Sequence, residues 1–201
     1  MAAKVIKPGL STTVQDLGRP GYYNIGIPIS GGMDRFALRA ANMLVGNKEG
    51  AAVLEAVFMG PELKFTEDAT VAVTGAELPP RVDGEPRETW TSFKVKKGQT
   101  LSFDFLKKGA RAYIAVSGGI DVPVVLGSRS TYTLGALGGF KGRKLGILTD
   151  GQNLSAEDGD LIGTALTDVQ SQVTILLQAG FFDVENGVDS AYADPLAAIA
   201  A

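Results

Sequence analysis

The feature that most constrains the fold of this chain is the brevity of its apolar runs, which are separated by turns rich in glycine. Glycine accounts for 26 of the 201 residues. Short strand candidates occupy residues 51–58, 70–74, 111–116 and 173–177. Residues 91–105 alternate between apolar and polar side chains around Lys97 and Gly98, which is typical of a hairpin with one buried face. The sequence therefore predicts a mainly β, mostly antiparallel and barrel-like fold.

One amphipathic helix is predicted at about residues 33–45. Its apolar side chains recur at the i, i+3, i+4 spacing of a single buried stripe, namely Met33, Phe36, Ala37, Ala40, Ala41 and Leu44. Asp34 falls in the first turn, where the helix dipole favours an anion. Gly46 is suited to end the helix. The fold class is therefore β with minor α.

The amino-acid composition excludes several kinds of catalytic and binding site. The chain has no histidine and no cysteine, so it offers no Ser-His-Asp triad, no thiolate nucleophile and no set of metal ligands built on those residues. A net charge of -3 without a basic stripe argues against binding to nucleic acid. No apolar run approaches the roughly 20 residues needed to cross a bilayer. We expect a cytoplasmic protein without a membrane partner.

The segment Ser11–Arg19 (STTVQDLGR) is the densest group of polar side chains in the sequence. Asp16 and Arg19 could pair with each other, or Arg19 could hold a carboxylate of a substrate or partner through two hydrogen bonds. The alternative is a polar loop, satisfied internally, that closes one end of a barrel. The sequence is compatible with both interpretations.

Two further segments are candidate anion sites. In Gly26–Asp34 (GIPISGGMD), backbone N–H groups at the helix start suit an anionic ligand, although Asp34 would repel a phosphate. Asp34 is either a base or a partner of the helix dipole, and the alternative to a ligand site is simply a well-capped helix. In Gly118–Thr131, three hydroxyls surround the Arg129 guanidinium, which suits a carboxylate, although a solvated loop is an equal alternative.

A fourth segment, Gly135–Lys144 (GALGGFKGRK), is rich in glycine and resembles a phosphate cradle, but it lacks the G-x-x-x-x-G-K-[ST] pattern. It is interpreted as a flexible basic loop. Trp90, the only tryptophan, is predicted to anchor a core or an interface.

Several long motifs occur in a fixed order along the chain: PGLSTTVQDLGRPGY, GIPISGGMDRFALRAANMLVGN, VLEAVFMGPELKF, GARAYIAVSGGIDVPVVLGSRSTY and GGFKGR. Together they resemble the allophanate hydrolase subunit 2 family, also called the biotin-dependent carboxyltransferase family, which includes the C subunit of 5-oxoprolinase. The resemblance runs from Lys7 to about Arg143. It implies a cyclophilin-like β-barrel.

The resemblance also implies a function. Family members of this kind pair with the B subunit of 5-oxoprolinase, and with its A subunit they open 5-oxo-L-proline to L-glutamate while hydrolysing ATP. We therefore expect a hydrolase subunit that is not active alone, with ATP bound at the level of the complex. The expected partners are a homologue of the 5-oxoprolinase B subunit and the A subunit.

Two alternatives remain at this stage. One is a regulatory module that antagonises a kinase-inhibitor homologue of the B subunit. The other is a carboxyltransferase or allophanate hydrolase domain of a urea carboxylase or urea amidolyase system. No tetrapeptide of the Met-Lys-Met type is present, so biotin would not be carried covalently by this chain.

The resemblance and the polar clusters together give a site hypothesis, in which reaction occurs at the junction with a companion chain. The aspartates Asp16 and Asp34 are the predicted catalytic residues, for proton transfer or orientation. The predicted substrate-binding residues are Arg19, Ser30, Arg129 and Ser130. Because family members continue into a second lobe, residues 1–165 are assigned to a first lobe and residues 166–201 to a divergent or truncated C-terminal segment.

Overall fold

The computed structural model describes residues 3–135 and 137–139. These residues contain ten strands, one α-helix and one short 3₁₀ helix. The elements are β1 (Ala3–Lys7), β2 (Ser11–Gln15), the 3₁₀ helix (Tyr23–Ile25), α1 (Arg35–Leu44), β3 (Val53–Val57), β4 (Glu62–Phe65), β5 (Ala69–Glu77), β6 (Pro80–Val82), β7 (Glu85–Pro86), β8 (Ser92–Val95), β9 (Thr100–Phe103) and β10 (Lys108–Val116). No helix in this part of the chain has the length and apolar character that a membrane crossing requires.

The strands form two antiparallel sheets of five strands each. One sheet has the order β1-β4-β9-β6-β7 and the other the order β2-β3-β10-β5-β8. Their inner faces enclose a common core, to which Val5, Leu63 and Leu101 contribute from the first sheet and Leu54 and Ile114 from the second. The mainly β prediction is confirmed. Among the described residues no strand pair joins the two sheets, so the barrel-like enclosure consists of two facing sheets.

Helix α1 covers the outer face of the second sheet. Successive side chains of a strand point to opposite faces, so β10 is buried on both sides: Ile114 enters the core between the sheets, whereas Tyr113 and Ala115 lie beneath α1. From the helix, Leu38 and its neighbours Ala37 and Ala41 pack against them. The predicted helix is therefore confirmed, but it begins at Arg35.

The predicted buried stripe of α1 is only partly correct. Ala37 and Ala41 are buried, but Met33 and Phe36 expose 70% and 74% of their surface. The helix carries apolar side chains on two faces, and the sequence pattern merged them into one stripe. Asp34 caps the N-terminus instead of lying in the first turn, because its extended backbone precedes the helix.

The predicted hairpin at residues 91–105 is wrong in its pairing. Both strands are present as β8 and β9, and the amide of Gln99 closes the turn on the Lys96 carbonyl at 3.0 Å. However, β8 pairs with β5, whereas β9 pairs with β4 and β6. The chain passes from one sheet to the other at this turn. Alternation and turn residues specify strands and a turn, but they do not specify which neighbour each strand joins.

Some of the remaining predictions fall within the described residues and others fall outside them. The strand candidates at 51–58, 70–74 and 111–116 are confirmed as β3, β5 and β10. The candidate strand at 173–177, most of the loop at 135–144 and the division near residue 165 lie outside the described residues and stay predictions.

Candidate functional site

The carboxylate of Asp16, just beyond β2, is the centre of a buried hydrogen-bond network. It accepts hydrogen bonds from the backbone amides of Gly18 at 2.8 Å and Arg129 at 2.6 Å. It also accepts from the hydroxyls of Ser128 at 2.6 Å and Ser130. Only 9% of Asp16 is exposed. Four donors therefore occupy most of the acceptor positions of this carboxylate.

Arg19 is fully buried and joins three segments of chain. Its Nε donates to the carbonyl of Val125 at 3.3 Å, its Nη1 to the hydroxyl of Ser30 at 3.2 Å, and its Nη2 to the carbonyl of Ser130. Burial lowers the pKa of Arg19, while the negative charge of Asp16 partly opposes that shift. The guanidinium therefore donates its hydrogen bonds to acceptors within the protein. We call Asp16, Arg19, Ser30, Ser128, Ser130 and the Arg129 amide the Asp16 network.

Close backbone contact around this network requires glycine. Gly31 has φ +87°, and a Cβ there would lie 2.9 Å from the amide nitrogen of Gly18. Gly18 itself has φ +90°, and its Cβ would lie 2.5 Å from the carbonyl oxygen of Ile29. A side chain at either position would separate residues 16–19 from residues 29–31.

Arg129 belongs to the network through its backbone amide, whereas its side chain lies at the surface. Its amide bonds to Asp16, but its guanidinium is 3.1 Å from the Asp121 carboxylate, with 39% of the side chain exposed. The hydroxyls of Ser128 and Ser130 point to Asp16. They do not surround the guanidinium in the way the sequence suggested.

Asp34 lies at a different place, at the edge of an open cleft beside the start of α1. Its Oδ1 accepts from the amide of Ala37 at 3.0 Å, and its own amide donates to the hydroxyl of Tyr113 at 2.7 Å. We call this the α1 cleft; its volume is about 420 Å³. It is lined by Met33, Asp34, Gly75, Ala76, Glu77, Lys108, Gly109, Ala110 and Arg111.

Behind the cleft, the buried carboxylate of Glu55 organises the wall. Its Oε2 accepts from the Tyr113 hydroxyl at 2.7 Å and from the Met33 amide at 2.9 Å. Its Oε1 is 3.4 Å from Nε of Arg111. Desolvation on burial raises the pKa of Tyr113 far above 10, so the phenol stays neutral and donates to Glu55.

Sequence reasoning missed Glu55, Tyr113 and Arg111 as site residues. Two signals were present: a charged residue inside the apolar strand candidate 51–58, and two polar side chains on one face of β10. Neither signal shows that these side chains meet, because β3 and β10 are distant in sequence. Their pairing, with Glu55 opposite Tyr113, brings them together.

The structure therefore separates the predicted site residues into two groups. Asp16, Arg19, Ser30 and Ser130 lie together in the Asp16 network. Asp34 lies at the α1 cleft, whose lining residues do not include Arg129, and the Arg129 guanidinium bonds to Asp121 instead. Residues 30–34 link the two regions, since the Gly32 amide donates to the Asp16 carbonyl at 3.0 Å. The catalytic and binding roles of these residues stay predictions.

The sequence of this chain is similar to a known protein family and to several characterised proteins. The family model of the carboxyltransferase domain, subdomain A and B, matches residues 25–197. Urea amidolyase of Saccharomyces cerevisiae is 43% identical over 145 residues, which are 72% of this chain and 8% of that protein. The C subunit of 5-oxoprolinase from Escherichia coli is 42% identical over 153 residues, which are 75% of this chain and 48% of that protein.

The fold of this chain is also similar to that of a solved structure. The crystal structure of the Kluyveromyces lactis urea carboxylase superimposes with a TM-score of 0.72 at 40% identity, covering 77% of this chain and 14% of that one. The chain spans about half the length of the 5-oxoprolinase C subunit of E. coli, whereas it spans only a small part of urea amidolyase.

Proposed function

This chain belongs to the carboxyltransferase domain family, subdomain A and B, and from that premise we propose that it is the C-type component of a cytoplasmic, ATP-dependent 5-oxoprolinase complex. The complex would convert 5-oxo-L-proline to L-glutamate, with ATP bound at the level of the complex. Its partners would be a homologue of the 5-oxoprolinase B subunit, called the B homologue, and the A subunit. The observation that carries the proposal is the 42% identity to the 5-oxoprolinase C subunit, of which the chain spans 48%.

The open α1 cleft supports a reaction at a junction between chains. Met33 lines the cleft and is largely exposed, and Phe36 and Met43 continue an apolar surface along the outer face of α1. The ring of Trp90 lies against that of Phe36, with centroids 6.1 Å apart. A B homologue that covers this surface would also cover the cleft and exclude water from it.

The candidate residues take different roles in this proposal. Asp34, at the edge of the cleft, orients the substrate or transfers a proton. Arg129 presents a guanidinium at the surface for a carboxylate of the partner. Asp16, Arg19, Ser30 and Ser130 hold the segments that carry those two side chains.

The proposal is tested by reconstitution. ATP-dependent hydrolysis of 5-oxo-L-proline is measured with homologues of the A and B subunits, with and without this chain. We expect hydrolysis only when the chain is present, and a loss of about a hundredfold in Asp34→Ala. Asp34→Ser is the matched variant, because serine still caps the helix but carries no carboxylate. It should fold like the wild type and lose the same activity.

Three outcomes would contradict the proposal: full hydrolysis without this chain, full hydrolysis by this chain alone, or tight binding to the B homologue with no effect on hydrolysis. The last result would favour a regulatory module instead.

A second candidate is a carboxyltransferase domain, and the 43% identity to urea amidolyase favours it. In this role the chain would take a carboxyl group from biotin carried by another chain. Transfer from free carboxybiotin to urea, measured with the same preparation, distinguishes the two. Transfer without hydrolysis of 5-oxo-L-proline would favour the second candidate.

A further inference from the structure

Two cationic side chains line the α1 cleft without a hydrogen-bond partner among the described residues. Arg111 approaches Glu55 at 3.4 Å, yet its Nε is buried and makes no hydrogen bond there. Within residues 3–135 and 137–139, no group accepts a hydrogen bond from the Arg111 guanidinium, and no carboxylate pairs with the Lys108 ammonium. A guanidinium has five N–H donors and an ammonium has three, so within the described part of the chain this wall of the cleft has donors available for an anion.

Glu55 orients Arg111 without satisfying it. One oxygen of Glu55 is already shared between the Tyr113 hydroxyl and the Met33 amide, so only the other faces the guanidinium. The Arg111 side chain is 36% exposed. It is therefore held at one end by a buried carboxylate and remains accessible at the other, which is the arrangement of a preorganised anion-binding arginine.

An irregularity in β10 brings Lys108 to the same cleft. In a regular strand, residues three apart point to opposite faces. The register between β10 and β5 shifts between Lys108 and Ala112, opposite Gly75. Gly75 has φ +84°, and a Cβ there would lie 2.5 Å from the carbonyl oxygen of Arg111. The bulge therefore allows Lys108 and Arg111 to line one wall.

The remaining charges of the cleft limit what can bind. Asp34 and Glu77 are also lining residues, and Glu77 is 3.7 Å from Lys107. These carboxylates repel a second negative charge but can accept a hydrogen bond from an amide N–H. The cleft volume of about 420 Å³ falls within the range of small-molecule sites.

We propose that the α1 cleft is a binding site for a small monocarboxylate that also carries an amide, with the carboxylate held between Arg111 and Lys108 and the amide N–H directed to Asp34 or Glu77. The identity of this ligand as 5-oxo-L-proline rests on the proposed function. The carboxylate site itself rests on the two cations of the cleft wall.

The test is calorimetric titration of the full chain with 5-oxo-L-proline, with 2-pyrrolidone, which has the lactam but no carboxylate, and with glutarate, which has two carboxylates. We expect binding of 5-oxo-L-proline, about tenfold weaker binding of glutarate and no detectable binding of 2-pyrrolidone. Arg111→Gln and Lys108→Gln should each weaken the binding of 5-oxo-L-proline about tenfold or more.

Lys107→Gln is the matched control, because it removes a neighbouring positive charge without removing a lining residue. It should change affinity by less than about threefold. Since Arg111→Gln leaves Glu55 without its cation and could unfold the chain, Lys108→Gln, at an exposed position, is the decisive variant. Equal affinity for 2-pyrrolidone, equal effects of the Lys107 and Lys108 variants, or no binding to the wild type would overturn the inference.

When the same variants are tested in the reconstituted complex, failure of the carboxylate site can be distinguished from failure of the proposed function. If the chain is required for hydrolysis but Lys108→Gln and Arg111→Gln hydrolyse normally, the carboxylate site is wrong and the proposed function stands. If the chain binds 5-oxo-L-proline through these residues but never supports hydrolysis, the site stands and the proposed function is wrong.

Discussion

At the scale of single residues, the Asp16 network shows how polar side chains are accommodated in a small β protein. A buried carboxylate without partners is strongly unfavourable, and here two hydroxyls and two backbone amides compensate it. The arginine beside it is satisfied by two carbonyls and one hydroxyl. A residue engaged in this way affects function mainly by holding its neighbours in place.

Replacement of Asp16 tests that view. Asp16→Ala leaves two amides and two hydroxyls without their acceptor in a buried site, so the free energy of unfolding should fall by about 3 kcal/mol or more. Asp34→Ala removes only an exposed helix cap and should cost about 1 kcal/mol. Urea denaturation measures both. A loss below about 1 kcal/mol for Asp16→Ala would show that the network contributes little to stability.

Tyr113 should make stability depend on alkaline pH. Its folded-state pKa lies above the ordinary value of 10.0, so its contribution is complete below pH 10 and is lost as pH rises further. Above pH 10 the wild type should lose up to about 1.4 kcal/mol per pH unit more than Tyr113→Phe. The measurement is the free energy of unfolding between pH 8 and roughly 11 for both proteins. Parallel curves would contradict the assignment.

At the scale of elements, α1 has two different apolar faces. The inner face packs on β5 and β10 and is tied down by the Thr74 hydroxyl, which donates to the Ala37 carbonyl at 2.7 Å. The outer face exposes Met33, Phe36 and Met43. An exposed apolar surface of this kind on a folded domain is typical of a contact with a partner.

Substitutions on the two faces should separate stability from assembly. Leu38→Ala should lower the free energy of unfolding by about 2–5 kcal/mol, because it opens a cavity in the core. Phe36→Ser should change it by less than about 0.5 kcal/mol but weaken binding to the B homologue about tenfold or more. Surface plasmon resonance gives the affinities. Unchanged affinity for Phe36→Ser would exclude this face from the interface.

At the scale of the whole molecule, the Asp16 network joins distant parts of the chain. Asp16 and Ser130 are 114 residues apart in sequence, and Arg19 and Ser130 are 111 apart. The segment after β2 and the loop after β10 are therefore a single structural unit, and both carry candidate site residues.

Hydrogen exchange should reveal this unit. In Asp16→Asn, the amides of Gly18 and Arg129 should lose protection together, since both donate to the same carboxylate. The amide of Leu63, in the other sheet, should exchange at the wild-type rate. Mass spectrometry of deuterium uptake in the two peptides provides the measurement. Loss of protection in only one of the two segments would show that they open independently.

The local structure of this chain follows from its sequence. The strands at 51–58, 70–74 and 111–116, the helix near residue 35 and the aspartate at its start were all predicted, because side-chain period and capping depend on neighbouring residues. The same holds for the absence of histidine and cysteine chemistry, which is a matter of composition.

The pairing of strands, the burial of helix faces and the grouping of site residues depend on the tertiary structure. It placed β8 and β9 in different sheets, buried one of the two apolar faces of α1, turned the serines of residues 128–130 toward Asp16, and brought Lys108 and Arg111 to one cleft through a bulge. Each outcome depends on the free energy of contacts between residues far apart in sequence. A local pattern is compatible with several such contacts, and only packing of the whole chain selects among them.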